Sequence, residues 1–506
     1  MPITEALAVA QQREPQRLLR LQELLRIPSI STVVAAKPDV EQAAAWVSAY
    51  LQEIGLEHAS VLETGRNPVV YADWLHAPGQ PTVLCYGHYD VQPADPAELW
   101  RTPPFEPTIE GDNLIARGAA DDKGQLIIHL AAVEAMLKAD GRLPVNVKFI
   151  IEGEEEIGSP SLDALFDTHH DRFQADVCLI SDSHMLAPDC PVIITSVRGL
   201  MALHIEVTGP HKDLHSGIFG GAVQNPIQAL STMLAQLHDA DGHVTVPHFY
   251  DRVRPLTDED RAGLAQLPFD RTAWLAEAGQ PPTDWGEPGY TIVERTTSRP
   301  TLEINGFAGG FTGDGIKTVL PSRAVAKISC RLVADQDPEE IRSLLSDYLQ
   351  SLAPPAVRVT IQPIQSGPGA SVSRDHPAMK VASAAYKAVY GVEPLFVREG
   401  GSIPIVALLQ KKFGMASLMM GFGLPDDGLH SPNEKMSFFT SSTACAANAL
   451  AHRVSAPVER PAQAPEKTQT RYFSGFNTPM NGRLRYISLK SSPYPTTNSF
   501  GMEKPM

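Results

Sequence analysis

Cysteine is scarce in this sequence of 506 residues. Cys85, Cys178, Cys190, Cys330 and Cys445 lie far apart and form no C-x-x-C pair. That excludes a disulfide scaffold and a thiolate zinc site, and it reads as five free thiols in a reducing compartment. Long apolar runs are missing too: the longest helix-like stretch, 126–137, holds His129 and Glu134 and is too short to span a bilayer. The first ten residues lack a basic segment, and Glu5 interrupts their apolar character, so no secretory signal is expected and the cytoplasm is the default location. Positive charge is in deficit, with 42 Lys and Arg against 58 Asp and Glu for a net −16. This argues against a general nucleic-acid partner. No G-x-S-x-G supports a serine hydrolase, and the Gly-rich stretch around Gly217, Gly220 and Gly221 lacks the spacing of a phosphate loop or dinucleotide fingerprint.

What is present is an ordinary globular composition, 43% apolar and 20% charged, long enough for two or three domains of about 150 residues each. Leu18, Leu21, Leu24 and Leu25 mark an amphipathic helix before Pro28. Three later segments each run a strand into a polar turn. Residues 82–86 enter Gly87-His88-Tyr89-Asp90, 145–151 enter Glu152-Gly153-Glu154-Glu155-Glu156, and 176–180 enter Ser181-Asp182. A helix over 123–138 lies between the first two, behind Asp121-Asp122. Alternating strands and helices predict an α/β domain with a mostly parallel sheet, whose ligands gather beyond the carboxyl ends of the strands.

From about 196 the texture changes to an α+β module. It has strands at 200–207, 323–333 and 357–364, helices at 223–237 and 338–352, and a long irregular stretch over 239–301. The α/β texture returns at 376, with a helix to 389, a strand near 395, a helix at 403–412, a strand at 416–420 and a final helix from 440. The expected division is a discontinuous catalytic domain, 1–195 plus 376–456, split by an inserted lid and dimerisation domain, 196–375. A Pro-, Ser- and Thr-rich tail, 457–506, reads as disordered, with 483–489 able to pair as a short strand.

Five clusters carry candidate chemistry: His88/Asp90, Asp121/Asp122, Glu154–Glu156, Asp182 and His430. Taken singly each has a bland explanation, as a solvated Glu run, a helix-capping Asp pair or a surface His. Together, four of them sit at strand ends or helix starts of one α/β domain. Carboxylates crowded without a cation repel one another, and a pair of divalent metals is an economical way to keep them ionised. Imidazole and carboxylate donors without thiolate suit Zn²⁺, Mn²⁺ or Co²⁺.

These segments resemble the M20 metallopeptidases. The resemblance rests on Gly87-His88-Tyr89-Asp90-Val91-Gln92-Pro93, Arg117 to Gln125, Glu152 to Ser159, Asp213-Leu214-His215-Ser216-Gly217, Arg398 to Pro404 and His430-Ser431-Pro432-Asn433-Glu434. Val91-Gln92-Pro93 and the Arg398 segment look like the carnosinase-type dipeptidase branch. The resemblance implies an α/β di-metal catalytic domain with the inserted lid, and hydrolysis of dipeptides with a free C-terminal carboxylate. It implies two divalent ions per subunit, Zn²⁺ first with Mn²⁺ or Co²⁺ as alternatives, held by His88 and Asp182 on one side, Glu156 and His430 on the other, and Asp121 bridging. Glu155 takes the general-base position, with a one-residue slip through Glu154 left open. Asp90 orients the His88 ring, and the Asp121–Asp122 peptide is cis. His215 serves as oxyanion donor across a homodimer interface, and Arg331, Gly401 and Ser402 grip the substrate carboxylate. Small peptides are the expected partners, with no nucleic acid and no membrane. An N-acyl-amino-acid amidohydrolase is the close alternative, and a catalytically silent metal-binding scaffold the distant one.

Overall fold

The computed structural model describes residues 3–401 and 403–437. Its frame is a nine-stranded sheet in the order Glu57–Leu62, Val69–Trp74, Asn146–Glu152, Thr82–His88, Val177–Ile180, Ala416–Met419, Val192–Val197, Ala370–Ser371, with Leu395–Glu399 also paired to Val192–Val197. The centre is parallel: Thr82–His88 runs alongside both Asn146–Glu152 and Val177–Ile180, and Ala416–Met419 joins the latter in the same sense. Strands Val69–Trp74 and Val177–Ile180 are buried along their whole length. Continuous burial of this kind marks strands covered on both faces.

One face is covered by helix Lys123–Asp140, buried at every position from Lys123 to Met136. A helix apolar all round belongs inside, and here helices Ile3–Gln12 and Glu14–Leu25 pack over it. Its charged interruption is satisfied: Glu134 ion-pairs with Arg13 at 2.7 Å. The helix ends at Gly141, whose φ of 66° suits the left-handed cap.

A second sheet of four antiparallel strands has the order Thr301–Gly309, Arg323–Leu332, Gly199–Thr208, Arg358–Gly367. Burial along Gly199–Thr208 alternates strictly, as expected for a sheet with one face in a core. Helices Pro226–Ala235 and Pro338–Leu352 cover that face. Each starts at an Asx cap followed by proline, Asn225-Pro226 and Asp337-Pro338, with the cap side chain accepting backbone N–H groups of the first turn.

The stretch expected to be irregular, 239–301, contains three short helices: Asp258–Leu264, Arg271–Glu277 and Ile292–Ser298. Two open on capping boxes, Thr257 with Asp260 and Thr291 with Glu294. That signal is local and visible in the sequence, but the helices are too short for an apolar period to register. The four described cysteines are free. The final helix from 440, the tail, Cys445 and Ser402 lie outside the described residues. Among the described residues no helix is long and apolar enough to cross a membrane.

Candidate metal centre

Every member of the centre leaves the carboxyl end of a strand or the loop beside it. His88 is the last residue of Thr82–His88, Glu155 and Glu156 follow Asn146–Glu152, and Asp182 follows Val177–Ile180. Asp121 ends the loop ahead of helix Lys123–Asp140, and His430 lies just before strand Lys435–Ser437. Gly87 makes the approach possible, because a Cβ there would stand 2.9 Å from Asp122 Oδ2 and 3.2 Å from Leu126 Cδ1.

Asp121 sits between two donor sets, one on each oxygen. Oδ1 is 3.1 Å from His88 Nε2, which is itself 3.8 Å from Asp182 Oδ2. Oδ2 is 3.0 Å from His430 Nε2, which is 3.3 Å from Glu156 Oε2. In each triad, His88/Asp121/Asp182 and Asp121/Glu156/His430, one donor atom per residue lies within 4.8 Å of the others. The Asp121–Asp122 peptide is cis. Asp122 occupies the cap position of the following helix, yet its carboxylate caps nothing; Oδ2 accepts the His88 N–H at 3.1 Å.

The charges are unbalanced in a way that fits cations. Burial pushes the Asp182 carboxyl up to about 7, against the pull of His88 and with Asp121 and Glu156 adding to the rise. Burial also pushes Glu155 well above the usual carboxyl range, against the pull of His88 and with Asp182, Glu152 and Glu156 adding to the rise. Burial would raise Asp121 as well, but hydrogen bonds from His430 and His88 hold it below its ordinary value. His430 is drawn up to about 10 by its bonds to Asp121 and Glu156. Protons therefore collect on the imidazoles facing carboxylates, at positions where borderline divalent cations would satisfy all the donors together.

The Glu triplet divides by environment. Glu154 is buried and committed to the backbone, accepting from Asn67 N at 2.9 Å and Ser161 N at 3.1 Å. Glu156 joins the second triad and accepts from Gln92 Nε2 at 2.7 Å. Glu155 stands beside Asp182 and Glu152. The run is not a solvated face.

Asp90 meets the His88 ring at Nδ1, the nitrogen turned away from Asp121, through two of its groups. Its backbone carbonyl lies 3.0 Å from His88 Nδ1 while its carboxylate stands at 3.4 Å. The carboxylate also accepts the N–H groups of Glu155 and Glu156, at 3.3 and 3.1 Å. One residue thus sets both the His88 ring and the turn carrying the two glutamates.

Glu434, buried without exposure, is the largest omission from the sequence reading. Oε2 accepts from Arg117 Nη1 at 2.7 Å and Gly118 N at 2.9 Å; Oε1 accepts from Ala120 N at 2.9 Å and Asp121 N at 3.1 Å. It clamps the loop that presents Asp121. Gln92, next to Val91 and Pro93, is a second such residue, and nothing local to either reveals its partner.

Of the remaining expected residues, His215, Arg331 and Gly401 are described, and none is a member of either triad. His215 is exposed, pairs with Val319, and accepts the Gly217 N–H on Nδ1 at 3.0 Å. Arg331 sits on Arg323–Leu332 opposite Leu200 and Thr301. Gly401 accepts the Arg198 N–H at 3.0 Å, and Arg198 Nε donates to Gly400 O at 2.9 Å. Burial and the nearby Arg331 charge push Arg198 down to about 10.

Comparison with known proteins agrees with this architecture. The chain is 31% identical over 451 residues to the Cys-Gly metallodipeptidase dug1 of Schizosaccharomyces pombe, covering 86% of this chain and 94% of that one. It is 33% identical over 401 residues to the human Beta-Ala-His dipeptidase, covering 76% and 79%. The solved structure of the di-peptidase Dug1p from Saccharomyces cerevisiae superposes with a TM-score of 0.75 at 31% identity, covering 90% of this chain and 99% of that one. Residues 84–455 match the model of peptidase family M20/M25/M40, and the chain belongs to that family.

Proposed function

We propose that this protein hydrolyses dipeptides bearing a free C-terminal carboxylate at a centre holding two divalent ions, Zn²⁺ foremost. The observation that carries this reading is Asp121, whose two oxygens each face a separate His and carboxylate set. His88, Asp121 and Asp182 would hold one ion, and Asp121, Glu156 and His430 the other. Bound there, divalent cations supply Lewis acidity that polarises a peptide carbonyl and acidifies water. Glu155 takes the proton of the attacking water and returns it to the leaving amine. Its raised proton affinity, caused first by burial, suits a group that must both accept and donate near neutrality. Glu154 is unsuited to this task because two backbone N–H groups already occupy it.

Residues 1–195 and 376–456 form the catalytic domain in this reading, and 196–375 the lid that completes the site. His215 acts across a homodimer interface as oxyanion donor. Two observations support that role. Acceptance of the Gly217 N–H on Nδ1 leaves the proton on Nε2, which makes the outer nitrogen a donor. Ile218, Phe219, Ile304, Phe307, Phe311 and Ile316, all within 196–375, are exposed apolar side chains of the kind a second copy would cover. Arg331, Gly401 and Ser402 grip the substrate carboxylate. The compartment is cytoplasmic in this reading, consistent with the free thiols.

The test is turnover by metal-stripped protein restored with Zn²⁺, Mn²⁺ or Co²⁺, on a panel of dipeptides and N-acyl amino acids. The expected result is metal-restored cleavage of dipeptides. Turnover confined to N-acyl amino acids would overturn the substrate assignment.

A further inference from the structure

A second cluster of donors lies on the outer edge of the nine-stranded sheet, on the edge strand and its neighbour, which are three and two strands from the one that carries His88. Glu57 of the edge strand pairs in register with Asp73 of Val69–Trp74. Two carboxylates directly opposite one another destabilise a strand pair. Among the described residues, neither forms an ion pair with Lys or Arg. Lys148, level with Asp73 on the next strand, donates to Asp171 O at 3.2 Å and Gln174 O at 2.8 Å, while Arg172 lies over the Tyr71 ring. The Lys148 charge acts on Asp73, but the side chains hydrogen-bonded to the two carboxylates are His58, His76 and Tyr71.

The register shifts between Glu57 and Ser60, and this bulge holds His58 at a φ of 52°. A bulge re-aims a side chain, and here it brings His58 Nδ1 to 2.8 Å from Asp73 Oδ1. Asp73 is only 5% exposed, and Tyr71 O–H holds its other oxygen at 2.8 Å, which presents Oδ1 alone to the cluster. Donor atoms of Glu57, His58 and Asp73 all lie within 4.8 Å of one another. His76 Nε2 lies 2.9 Å from Glu57 Oε2 and fixes that carboxylate from outside.

We infer that Glu57, His58 and Asp73 form an additional site for a borderline divalent cation such as Zn²⁺, oriented by Tyr71 and His76 and separate from the candidate catalytic centre. One imidazole and two carboxylates match that cation class, and the phenol and second imidazole are the outer partners such ligands require. The cation would neutralise the Glu57–Asp73 opposition and fasten the exposed edge strand to its neighbour. Asp73 is level with Lys148 and Leu84, four residues before His88 along the parallel strands. The two sites therefore share no ligand.

The experiment compares zinc bound per chain after equilibrium dialysis of the full-length protein against buffered free Zn²⁺, with dipeptide turnover measured on the same samples. His58→Asn is the diagnostic variant, since Asn tolerates the left-handed backbone while removing the imidazole. The expected result is one equivalent of zinc fewer in His58→Asn than in the unmodified protein, at unchanged turnover. His76→Ala should weaken the same equivalent by about tenfold. Equal zinc content in His58→Asn and the unmodified protein overturns the inference. His430→Ala, measured in parallel, reports the catalytic centre alone, so failure there is distinguishable from failure at the edge.

Discussion

Glu434→Gln tests how the loop carrying Asp121 is held. The carboxylate accepts four hydrogen bonds, two on each oxygen, and neither it nor Arg117 has appreciable solvent contact, at 0% and 1% side-chain exposure. Glutamine keeps the shape but turns one oxygen into an N–H₂ donor. Whichever way the amide lies, one pair of donors, Arg117 with Gly118 or Ala120 with Asp121, then faces another donor. Breaking a buried ion pair by removing one partner costs about 3–5 kcal/mol, because the other charge stays uncompensated. Arg117 keeps some support, from Pro93 O at 3.2 Å, Ser431 O at 3.3 Å and the Trp100 ring, so about 3 kcal/mol is expected. Denaturant unfolding of the Glu434→Gln, Arg117→Met and double variants measures the loss and the coupling between the pair. The double variant should recover part of the single loss, since the orphaned charge is gone. Metal content should fall with stability, because Asp121 loses its anchor. A Glu434→Gln protein within about 1 kcal/mol of the original, the size of an ordinary neutral hydrogen bond, would refute the clamp.

Glu155→Gln should lower turnover by about 10²–10⁴-fold while retaining metal. Glu154→Gln should retain turnover but lose about 1–3 kcal/mol of stability, as a buried acceptor of two backbone N–H groups; the opposite pattern in kinetics and unfolding would exchange their roles. His430→Ala should lose one of the two catalytic-centre metals by elemental analysis, and full occupancy would contradict its place in the second triad. Gln92→Ala, which removes the 2.7 Å bond to Glu156, should weaken metal affinity by about tenfold in a chelator competition, and an unchanged affinity would assign Gln92 no part in the centre.

The legibility of this protein followed the range of the signals. Strands Thr82–His88, Asn146–Glu152 and Val177–Ile180 and helix Lys123–Asp140 were readable because burial imposes composition and period over consecutive residues. The titratable clusters after those strands pointed to one end of one sheet, and that is where the structure brings His88, Asp121, Asp182, Glu156 and His430 together. The three helices of the 239–301 stretch escaped because seven residues hold too few apolar positions to display a period, though their caps were in plain view.

Sequence by itself determined which chemistry is available: imidazole and carboxylate without thiolate, placed behind apolar strands on a chain with a net charge of −16. Only the tertiary structure decided how those groups are used. It turned Glu154 to the backbone of Asn67 and Ser161 while Glu156 met His430, a distinction between adjacent identical residues that no local pattern encodes. It placed Glu434 against Arg117, 317 residues away, and set His58 against Asp73 through a shift in strand register. Periodicity and capping reach only a few residues along the chain, whereas these contacts depend on which strands lie side by side and on where each loop is held.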